Sequence, residues 1–534
     1  MKIEDVRWAN YRRMPDGHLA VRDHLVLVGP NDTGKSSVIR AINLCLGMSH
    51  GALGGAVSPR DFTDPANMLE ITVTLTGIEA DDEAAFPDEI SVGPPPVLRV
   101  TVEASIDPAD GETVATRRYF PDAGHSKAPS REQLRAIGFR FVPAARSLLR
   151  ELGGTTGGAV RSLLSGLDLT ADSAALQTAA DAYRDALDAS TVLEDFRGTV
   201  ATALTEALPV PVQPGDVRVV SDAELSEDPL ANVTVTLKDG PHDVSLAEQS
   251  DGIRAVAVLT LLGMSHAAAK IVAVDEPETH LHPSAQRSVA RSLIAGTGQR
   301  IVATHSPAIV GEVDPFDLVA FRADRVGRQL PAAAPFVTYE FTTRHWASHL
   351  IEPLTARFVL LVEGPSDLIL VRRVAKLLGV DLDRRGIAVL DLGGAKMFGS
   401  AYEIFGPAGF DVQMAGMVDE DARADWAAEV GVEPVDLEAE GYVVCDPDLE
   451  GVYVNALGIA TVTAMLLASP KISTNSIKAT CGVTDLADVT PEQLAGYCRK
   501  NKHKVASALA VAAGLTVAQA QTLTPVVDLL NLAP

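Results

Sequence analysis

Two widely separated groups of residues in this 534-residue chain have the types and spacing needed to bind a nucleotide. Residues 29–36 read Gly-Pro-Asn-Asp-Thr-Gly-Lys-Ser, a complete G-x-x-x-x-G-K-[ST] phosphate loop. The apolar residues 271–274, about 240 positions later, lead into Asp275 and Glu276, as in a buried strand that ends in two carboxylates. One such carboxylate can hold a metal ion, and the second can orient a water molecule. Two distant parts of the chain would therefore build one nucleotide site.

The phosphate loop lies in the local context that its motif requires. Residues 24–28 predict a buried strand and residues 36–47 a helix, so the loop joins the two. Backbone N–H groups at the start of the helix would surround the phosphates, with Lys35 neutralising their charge and Ser36 binding magnesium. The alternative is a glycine turn before a helix. The residues expected to contact the nucleotide or its metal ion are Gly29, Asn31, Gly34, Lys35, Ser36, Ser37 and Asp275.

Two further polar segments are candidates for the same site. Ser250-Asp-Gly252 ends a polar loop before a helical stretch and offers N–H donors to an anion, although a simple helix cap is the alternative. His305 follows a predicted strand at residues 300–304, where it can sense a γ-phosphate. A lone histidine is more often structural, so both interpretations stay open.

A second group of carboxylates follows two later strands. The apolar residues 358–362 end in Glu363, and residues 412–418 lead to Asp419-Glu-Asp421. Carboxyl ends of parallel strands are where sites form in such sheets, so three carboxylates would converge there. Oxygen ligands suit magnesium or manganese, and two such ions can clamp the attacking and leaving oxygens of a phosphodiester. The alternative is two acidic loops on an acidic protein.

The bulk composition limits the class of protein. A net charge of −25 argues against a nucleic-acid coat, although a local basic groove with metal ions remains compatible with it. Four scattered cysteines without a CxxC pair favour a reducing cytoplasm and no zinc site. The N-terminus lacks the pattern of a signal peptide, and the longest apolar runs are shorter than the ~20 residues of a spanning helix.

The nucleotide motifs together resemble those of an ABC-type ATPase of the RecF/SMC-related kind. They comprise residues 29–36, 250–252, 275–283 and 304–307. The resemblance implies that Asp275 binds the magnesium shell and that Glu276 activates water. It also implies that the loop with Ser250 acts on the nucleotide of a partner subunit, although Ser-Asp-Gly is a shortened version of the family's signature.

The second carboxylate group resembles a Toprim domain: an apolar strand with Glu-Gly, then a strand with Asp-x-Asp. Residues 358–367, Phe-Val-Leu-Leu-Val-Glu-Gly-Pro-Ser-Asp, carry the closest match. An ABC-type ATPase followed by Toprim is the arrangement of the OLD (overcoming-lysogeny-defect) family of nucleases, which includes the nuclease subunit of the Gabija anti-phage system. The resemblance covers roughly residues 1–510.

This resemblance assigns roles to individual residues. Glu363, Asp419 and Asp421 would hold metal ions. Asp367 and Glu450 would serve a second ion. Lys502 would stabilise charge at the scissile phosphate; Lys504 is the competing choice, and the basic run at residues 500–504 could equally be a solvated surface.

The predicted fold is α/β, with an ATPase domain interrupted by a helical insertion and followed by a Toprim domain. Period-two strands are predicted at residues 69–76 and 97–105, with an acidic surface loop at 78–96 between them. The insertion either forms a subunit contact or packs on its own domain. The predicted boundaries are 1–129 and 211–323 for the ATPase domain, 130–210 for the insertion, 324–356 for a linker, 357–470 for Toprim and 471–534 for a helical C-terminal extension.

The resulting hypothesis is a cytoplasmic, ATP-binding DNA endonuclease that nicks or cleaves both strands and acts in anti-phage defence or DNA repair. Its ATPase domain would regulate the nuclease. Expected cofactors are ATP with one metal ion and two Mg²⁺ or Mn²⁺ ions in Toprim. Expected partners are DNA and a second copy of the chain or a higher homo-oligomer, and the sequence leaves open whether a helicase partner exists. The rival hypothesis is an ATP-driven structural or repair module that binds DNA without cutting it. A topoisomerase or primase is less compatible, because no tyrosine lies in a nucleophile motif and no zinc-binding cysteines are present.

Overall fold

The computed structural model describes the chain with several gaps. The described residues are 1–91, 93–123, 127–142, 173–195, 198, 213, 236–239, 242–245, 248, 270–279, 281–296, 298–331 and 351–534. They form two compact units, one comprising essentially residues 3–133 and 301–534 and the other residues 134–300. The predicted Ser250 and Gly252, much of the helical insertion and most of the linker lie outside the described residues.

Strands and helices are numbered here in chain order. The strands are β1 Lys2–Ala9, β2 Gly17–Ala20, β3 Leu25–Val28, β4 Leu69–Thr76, β5 Ile90–Ser91, β6 Val97–Ile106, β7 Val114–Tyr119, β8 Phe139–Val142, β9 Thr236–Asp239, β10 His242–Ser245, β11 Ile271–Asp275, β12 Gln299–Thr304, β13 Leu318–Phe321, β14 Gly327–Arg328, β15 Phe358–Val362, β16 Ile387–Asp391, β17 Met414–Asp419 and β18 Tyr442–Cys445.

The α-helices are α1 Lys35–Leu46, α2 His50–Gly54, α3 Ala80–Ala85, α4 Arg131–Ile137, α5 Ser173–Asp188, α6 Pro283–Ala295, α7 Pro307–Val310, α8 Ile351–Thr355, α9 Pro365–Leu377, α10 Leu382–Arg385, α11 Phe398–Phe405, α12 Arg423–Val430, α13 Leu449–Leu457, α14 Ile459–Leu467, α15 Thr474–Cys481, α16 Pro491–Arg499, α17 Asn501–Gly514, α18 Val517–Ala520 and α19 Thr524–Leu532. Among the described residues no single helix is long and apolar enough to cross a membrane, whereas α13 and α14 pass that test only as a pair bent by 108°.

An antiparallel sheet in the first unit has the strand order β2-β1-β4-β6-β5, with β7 also paired to β6. The predicted alternation in β4 is confirmed, because Leu69, Ile71, Val73 and Leu75 are all buried. Helix α1 packs on this sheet, and the Cys45 thiol donates to the carbonyl of Ile71.

The predicted surface loop at residues 78–96 is wrong in part. It contains helix α3 and strand β5, and it buries Phe86 edge-on against Phe120 at 5.9 Å between ring centroids. The buried Glu89 carboxylate accepts a hydrogen bond from Gln133 (2.8 Å) and pairs with Lys127 (2.8 Å). These contacts come from residues about 40 positions later, so local acidity and proline content could not reveal them.

Strand β3, which leads into the phosphate loop, is flanked by two parallel strands. Ile301 in β12 lies opposite Leu25, and Leu318 in β13 lies opposite Val26. All four residues of β3 are buried, as expected for a strand covered on both faces. The predicted strand, loop and helix around the phosphate loop are therefore confirmed.

The second unit contains a strand where the sequence predicted only helix. Residues 139–142 form β8, and β8 pairs in parallel with β11, so that Phe139 lies opposite Ile271. Residues 139–142, which lie inside the predicted insertion, thus pair with the acidic strand, and the boundary at residue 130 stays a prediction. The predicted helical pattern later in the insertion is confirmed by α5, Ser173–Asp188.

The predicted second parallel sheet is confirmed, with strand order β16-β15-β17-β18. The sequence correctly predicts β15 and β16 and places β17 within two residues, but it misses β18. The C-terminal helices pack onto the same core rather than extending away from it. Arg373 of α9, for example, donates to the carbonyl of Ala512 in α17 at 2.8 Å. The Toprim sheet and C-terminal extension therefore share one hydrophobic core.

Asp317 is a buried carboxylic acid that connects the start of β3 to the start of β13, since its Oδ1 accepts from the His24 N–H at 3.0 Å. Burial raises its pKa from 3.8 to about 6. Between these values the folded chain holds a proton that the unfolded chain has lost, so stability falls as pH rises through this window. We expect Asp317→Asn, which keeps the acceptor oxygen, to increase the free energy of unfolding at pH 7.5 by on the order of 2 kcal/mol.

The corresponding measurement is urea unfolding of wild type and Asp317→Asn at pH 7.5 and pH 4. The difference in the free energy of unfolding should become small at pH 4, because the wild-type side chain is then neutral in the folded state. A variant that is less stable than wild type at pH 7.5 would show that ionised Asp317 stabilises the fold.

Candidate nucleotide and metal sites

The phosphate loop is a tight turn that requires glycine at two positions. Gly29 has φ 154° and Gly34 has φ 113°. A Cβ at Gly29 would lie 2.5 Å from the carbonyl oxygen of Phe321. The Lys35 ammonium is buried and donates to the carbonyls of Gly29 and Pro30, both at 2.8 Å. The lysine therefore lies across the loop, where phosphate oxygens can replace the carbonyls as its acceptors.

Arginines surround the loop and line a cavity of about 310 Å³. The cavity-lining arginines are Arg12, Arg13, Arg40, Arg60 and Arg325. Asp61, also in the lining, pairs with Arg12 at 2.8 Å and with Arg40 at 3.3 Å. Although burial acts to raise the pKa of Asp61, these guanidiniums and the Ser58 N–H hold it below 3.8. Asp32 pairs with Arg13 and Arg325, each at 3.2 Å.

Sequence reasoning missed this arginine cluster. Its members come from the turn after β1, from helix α1, from the segment before β4 and from the turn after β13. The available signal was the pair Arg12-Arg13 at the end of a strand that precedes a phosphate loop. That signal is weak, because exposed arginines are common at strand ends.

The other predicted nucleotide residues lie in both units. Ser36 is exposed and Ser37 accepts a hydrogen bond from Arg12 at 3.1 Å. His305 follows β12 and is half-buried. Asp275 ends β11 and Glu276 follows it with a positive φ of 49°, both in the second unit. Their place in one site with the phosphate loop stays a prediction, as does that of the exposed Asn31.

Four carboxylates meet at the carboxyl edge of the Toprim sheet. Glu363 follows β15 and Asp419 ends β17; Glu363 Oε1 accepts from the Asp419 N–H at 2.8 Å. Asp367 lies in the first turn of α9 and is 5% exposed, and Glu450 lies in the first turn of α13 and is 1% exposed. Each is therefore positioned by a strand end or a helix start, as predicted for sites in parallel sheets.

These carboxylates are close enough to affect one another's protonation. Burial, followed by the charges of Glu363, Asp367 and Glu450, raises the pKa of Asp419 from 3.8 to about 8. Burial and the neighbouring acids also raise the pKa of Glu450 to about 7, although Lys504 opposes the shift. The pKa values of Glu363 and Asp367 are raised mainly by burial. The four carboxyl groups therefore do not all ionise readily near neutral pH when no cation is bound beside them.

The lysine beside this cluster is Lys504. Burial alone would lower the pKa of its ammonium, but the charges of Glu450, Asp367, Asp419 and Glu363 raise it above its usual value. Lys502, in contrast, is exposed. These positions favour Lys504 over Lys502, and the role of either lysine stays a prediction. In α17 the buried residues Ser507, Ala508 and Val511 share a face with position 504, whereas position 502 points to solvent.

Asp421 differs from the other predicted metal ligands because it is exposed. It lies in the short turn Glu420–Ala422 directly after β17, and its charge contributes to the raised pKa of Glu363. Asp448, which the sequence did not single out, caps α13 by accepting from the Gly451 N–H at 2.7 Å. Asp448 also forms an ion pair with Arg499, and this pair fixes the helix start that carries Glu450.

The donor atoms fit a hard divalent cation such as Mg²⁺ or Mn²⁺. All are carboxylate oxygens, and within the described part of the chain Glu450 Oε2 is buried without a hydrogen-bond partner. No group of three or more described His, Cys, Asp or Glu side chains has the spacing of a closed metal site. Two carboxylates instead accept backbone N–H groups: Asp419 Oδ1 from Leu449 at 3.1 Å and Asp367 Oδ2 from Gly364 at 2.9 Å. These hydrogen bonds fix the orientation of both carboxylates and leave the second oxygen of Asp419 as a further donor for a metal ion.

Known protein families match both the phosphate-loop part of the chain and the part with the second parallel sheet. A family model described as "AAA domain, putative AbiEii toxin, Type IV TA system" matches residues 25–311, more than half of the chain. A second model, "Overcoming lysogenization defect protein-like, TOPRIM domain", matches residues 354–421. A curated OLD nuclease of Thermus scotoductus is 24% identical over 417 residues, which span 72% of this chain and 76% of that protein.

Solved structures resemble the two halves separately. The SMC head domain from Thermotoga maritima is 14% identical, with a TM-score of 0.28, and the match covers 62% of this chain and 99% of that one. The C-terminal region of the Burkholderia pseudomallei OLD protein is 22% identical, with a TM-score of 0.25, and the match covers 33% and 98%. Both likenesses are distant, so the assignment depends on the sequence models. The chain belongs to the AAA domain family and, with an OLD-like Toprim domain after its ATPase domain, is an OLD-family protein.

Proposed function

We propose that this protein is a divalent-metal-dependent DNA endonuclease whose ATPase domain regulates cutting. One observation carries the proposal: four buried or half-buried carboxylates lie at the carboxyl edge of the Toprim sheet, close enough for their charges to affect one another and Lys504. The similarity to a protein named OLD nuclease supports DNA cleavage as the reaction. The phosphate loop supports ATP as the nucleotide, with one metal ion bound beside it.

The Toprim residues divide the work of hydrolysis. Glu363, Asp419 and Asp421 would hold one metal ion, and Asp367 and Glu450 a second. Bound divalent ions supply a water nucleophile of lowered pKa and neutralise charge on the phosphodiester. The carboxylates that would hold these ions follow β15, end or follow β17, or lie in the first turns of α9 and α13.

Lys504 would contribute a positive charge that does not depend on metal. Its ammonium faces the carboxylates, whose charges keep it protonated. A phosphate that enters the cluster meets this ammonium in a partly buried setting, where charge stabilisation is stronger than in water. The exposed Lys502 suits a contact with the DNA backbone farther from the reacting bond.

In the nucleotide site, Lys35 and the N–H groups of residues 31–36 would bind the phosphates, with Gly29 and Gly34 shaping the turn. Ser36 and Asp275 would hold magnesium, Glu276 would activate water, and His305 would sense the γ-phosphate. Ser250 and Gly252 would act on the nucleotide of a second copy of the chain, which makes a homodimer or higher homo-oligomer the expected assembly.

The sequence resemblance to the OLD family, which includes the Gabija nuclease subunit, motivates a role in anti-phage defence or DNA repair and a test for a helicase partner. The four cysteines are free thiols, as expected in a reducing cytoplasm. The rival function is an ATP-driven module that binds DNA without cutting it. Carboxylates this close together destabilise a fold when no cation is bound beside them. Their presence therefore favours a nuclease that binds metal ions there over a module that only binds DNA.

The test is plasmid nicking and linearisation by the purified full chain with Mg²⁺ or Mn²⁺, with and without ATP. We expect cutting that EDTA abolishes. We expect Lys35→Ala to abolish ATP hydrolysis, because the loop loses its phosphate-neutralising ammonium, while metal-dependent cutting persists at some level. ATP hydrolysis without cutting of any DNA in either metal would favour the rival function.

A further inference from the structure

A short hairpin connects the phosphate loop with the Toprim domain. Strand β13 lies beside β3, with Ala320 opposite Val28, and β14 returns along it, with Gly327 opposite Phe321. Gly327 is tightly enclosed, because a Cβ there would lie 2.6 Å from Leu19. Residues 322–326 form the turn of this hairpin, and the Arg325 N–H donates to the carbonyl of Arg322 at 2.9 Å. The two arginines are therefore held three residues apart in one tight turn.

One arginine of the turn holds the phosphate loop. Arg325 Nε donates to the carbonyl of Asp32 at 3.1 Å, and its terminal nitrogen donates to Asp32 Oδ2 at 3.2 Å. Both residues have a positive φ, 60° for Arg325 and 63° for Asp32, so each backbone is held in an unfavourable conformation. The two contacts involve the middle of the loop, where the phosphates of a nucleotide would lie.

A second arginine of the turn holds the Toprim domain. Arg322 is 8% exposed, and its guanidinium donates to three carbonyls: Phe410 at 2.7 Å, Asp411 at 2.7 Å and Leu354 at 3.2 Å. A buried guanidinium usually pairs with a carboxylate. Arg322 instead donates to three backbone carbonyls, so its contacts fix the position of these backbone segments. Burial lowers the pKa of Arg322 to about 10, which still leaves it charged at neutral pH.

The segment held by Arg322 leads directly to the metal carboxylates. Residues 410–413 precede β17, the strand that ends in Asp419, and the Gln413 carbonyl accepts from the Val359 N–H of β15 at 2.9 Å. Arg328 adds a further connection, since it pairs with Asp324 at 2.7 Å and lies 3.8 Å from Asp411. The hairpin thus holds the base of the two strands whose ends carry Glu363 and Asp419.

Phosphate binding would change the Arg325 contact. A bound triphosphate places several negative charges beside Asp32, where it repels this carboxylate and competes for the guanidinium. Because Arg325 and Arg322 share one turn, a change of partner at Arg325 would shift the backbone that Arg322 holds. Interfaces of this kind have discrete arrangements and transmit small displacements over long distances.

We propose that Arg325 and Arg322 are positioning residues that transmit nucleotide binding from the phosphate loop to the carboxylate strands of Toprim. This inference rests on the proposed function, and it names the route of the regulation. It predicts that the ratio of cutting rates with and without a nonhydrolysable ATP analogue depends on Arg325.

The experiment compares this ratio in wild type, Arg325→Ala, Arg325→Lys and the control Arg99→Ala, all at saturating analogue. Arg99 also pairs with an aspartate on the surface of the first unit, Asp122 at 3.0 Å, but it lies outside the hairpin. We expect the wild-type ratio to differ from one by at least about fivefold in either direction. The ratio should approach one in Arg325→Ala, recover in part in Arg325→Lys and stay at the wild-type value in Arg99→Ala.

Hydrogen exchange on the full chain provides a second readout that does not depend on cutting. In wild type, binding of the analogue should change the rate of hydrogen exchange in residues 406–420. In Arg325→Ala, binding of the analogue should leave the exchange rate of these residues unchanged. A wild-type ratio or a wild-type exchange response in Arg325→Ala would overturn the inference, as would a wild-type ratio of one. If no DNA is cut at all, the proposed function fails, and the exchange experiment alone decides the inference.

Discussion

Asp419→Asn should reduce metal-dependent cutting at least about a hundredfold, which corresponds to about 3 kcal/mol in the activation barrier. Asp419 ends β17 at the centre of the carboxylate cluster, and three of its neighbours contribute to its raised pKa. An amide of the same shape cannot supply the negative charge that a divalent ion needs there. The measurement is the rate of plasmid nicking over a range of Mn²⁺ concentrations.

Two controls separate loss of chemistry from loss of folding. Glu420→Gln changes the adjacent residue, which is exposed and pairs with Arg423 at 3.4 Å, and should leave cutting within about twofold of wild type. In EDTA, Asp419→Asn should raise the thermal midpoint, because folding then no longer places an ionisable carboxyl group beside three other carboxylates. Full cutting by Asp419→Asn would move the metal site away from β17 and contradict the proposed function.

Much of the site can be predicted from sequence because its residues follow unmistakable local patterns. Glu363 follows an uninterrupted apolar strand, and the phosphate loop carries four specified positions between a strand and a helix. In both cases the chemistry-bearing residue comes directly after the element that positions it. The fold class follows from the same alternation of apolar strands with helices.

What the sequence could not predict depends on tertiary contacts or on helix phase. Residues 139–142, Phe-Arg-Phe-Val, are too short to show a period, and only pairing with β11 makes them a strand. The arginines around the phosphate loop come from distant segments, and Arg322 looks like any arginine after a strand. The missed strand β18 contains Tyr442, which packs edge-on against Trp426 at 5.8 Å between ring centroids.

Lys502 and Lys504 show why the phase of a helix, which decides the residues that face inward, is difficult to predict from sequence. Both lie in the basic run at residues 500–504, and without the start of the helix either lysine can face inward. The helix begins at Asn501, which turns position 504 toward the buried face and position 502 toward solvent. A difference of two residues in a helix is about 200° around its axis, so only one of the two can face the carboxylates.

Lys504→Met should reduce the maximal cutting rate roughly a hundredfold, whereas Lys502→Met should change it by less than about threefold. Methionine keeps the length and apolar stem of lysine but removes the charge, so packing against the carboxylates is preserved as far as possible. The measurement is the rate of plasmid nicking at saturating DNA and metal. Lys502→Met should mainly weaken DNA binding and reduce its salt dependence, as expected for a backbone contact.

Metal affinity distinguishes a role in the reaction from a structural role for Lys504. Four carboxylates face its ammonium, so removal of this cation leaves the cluster more negative and should tighten Mn²⁺ binding. A lysine that only held the fold together would, when replaced, weaken both Mn²⁺ binding and cutting. Tighter Mn²⁺ binding with slower cutting would therefore place the ammonium at the phosphate, whereas an equal loss of cutting in Lys502→Met would return the assignment to the exposed lysine.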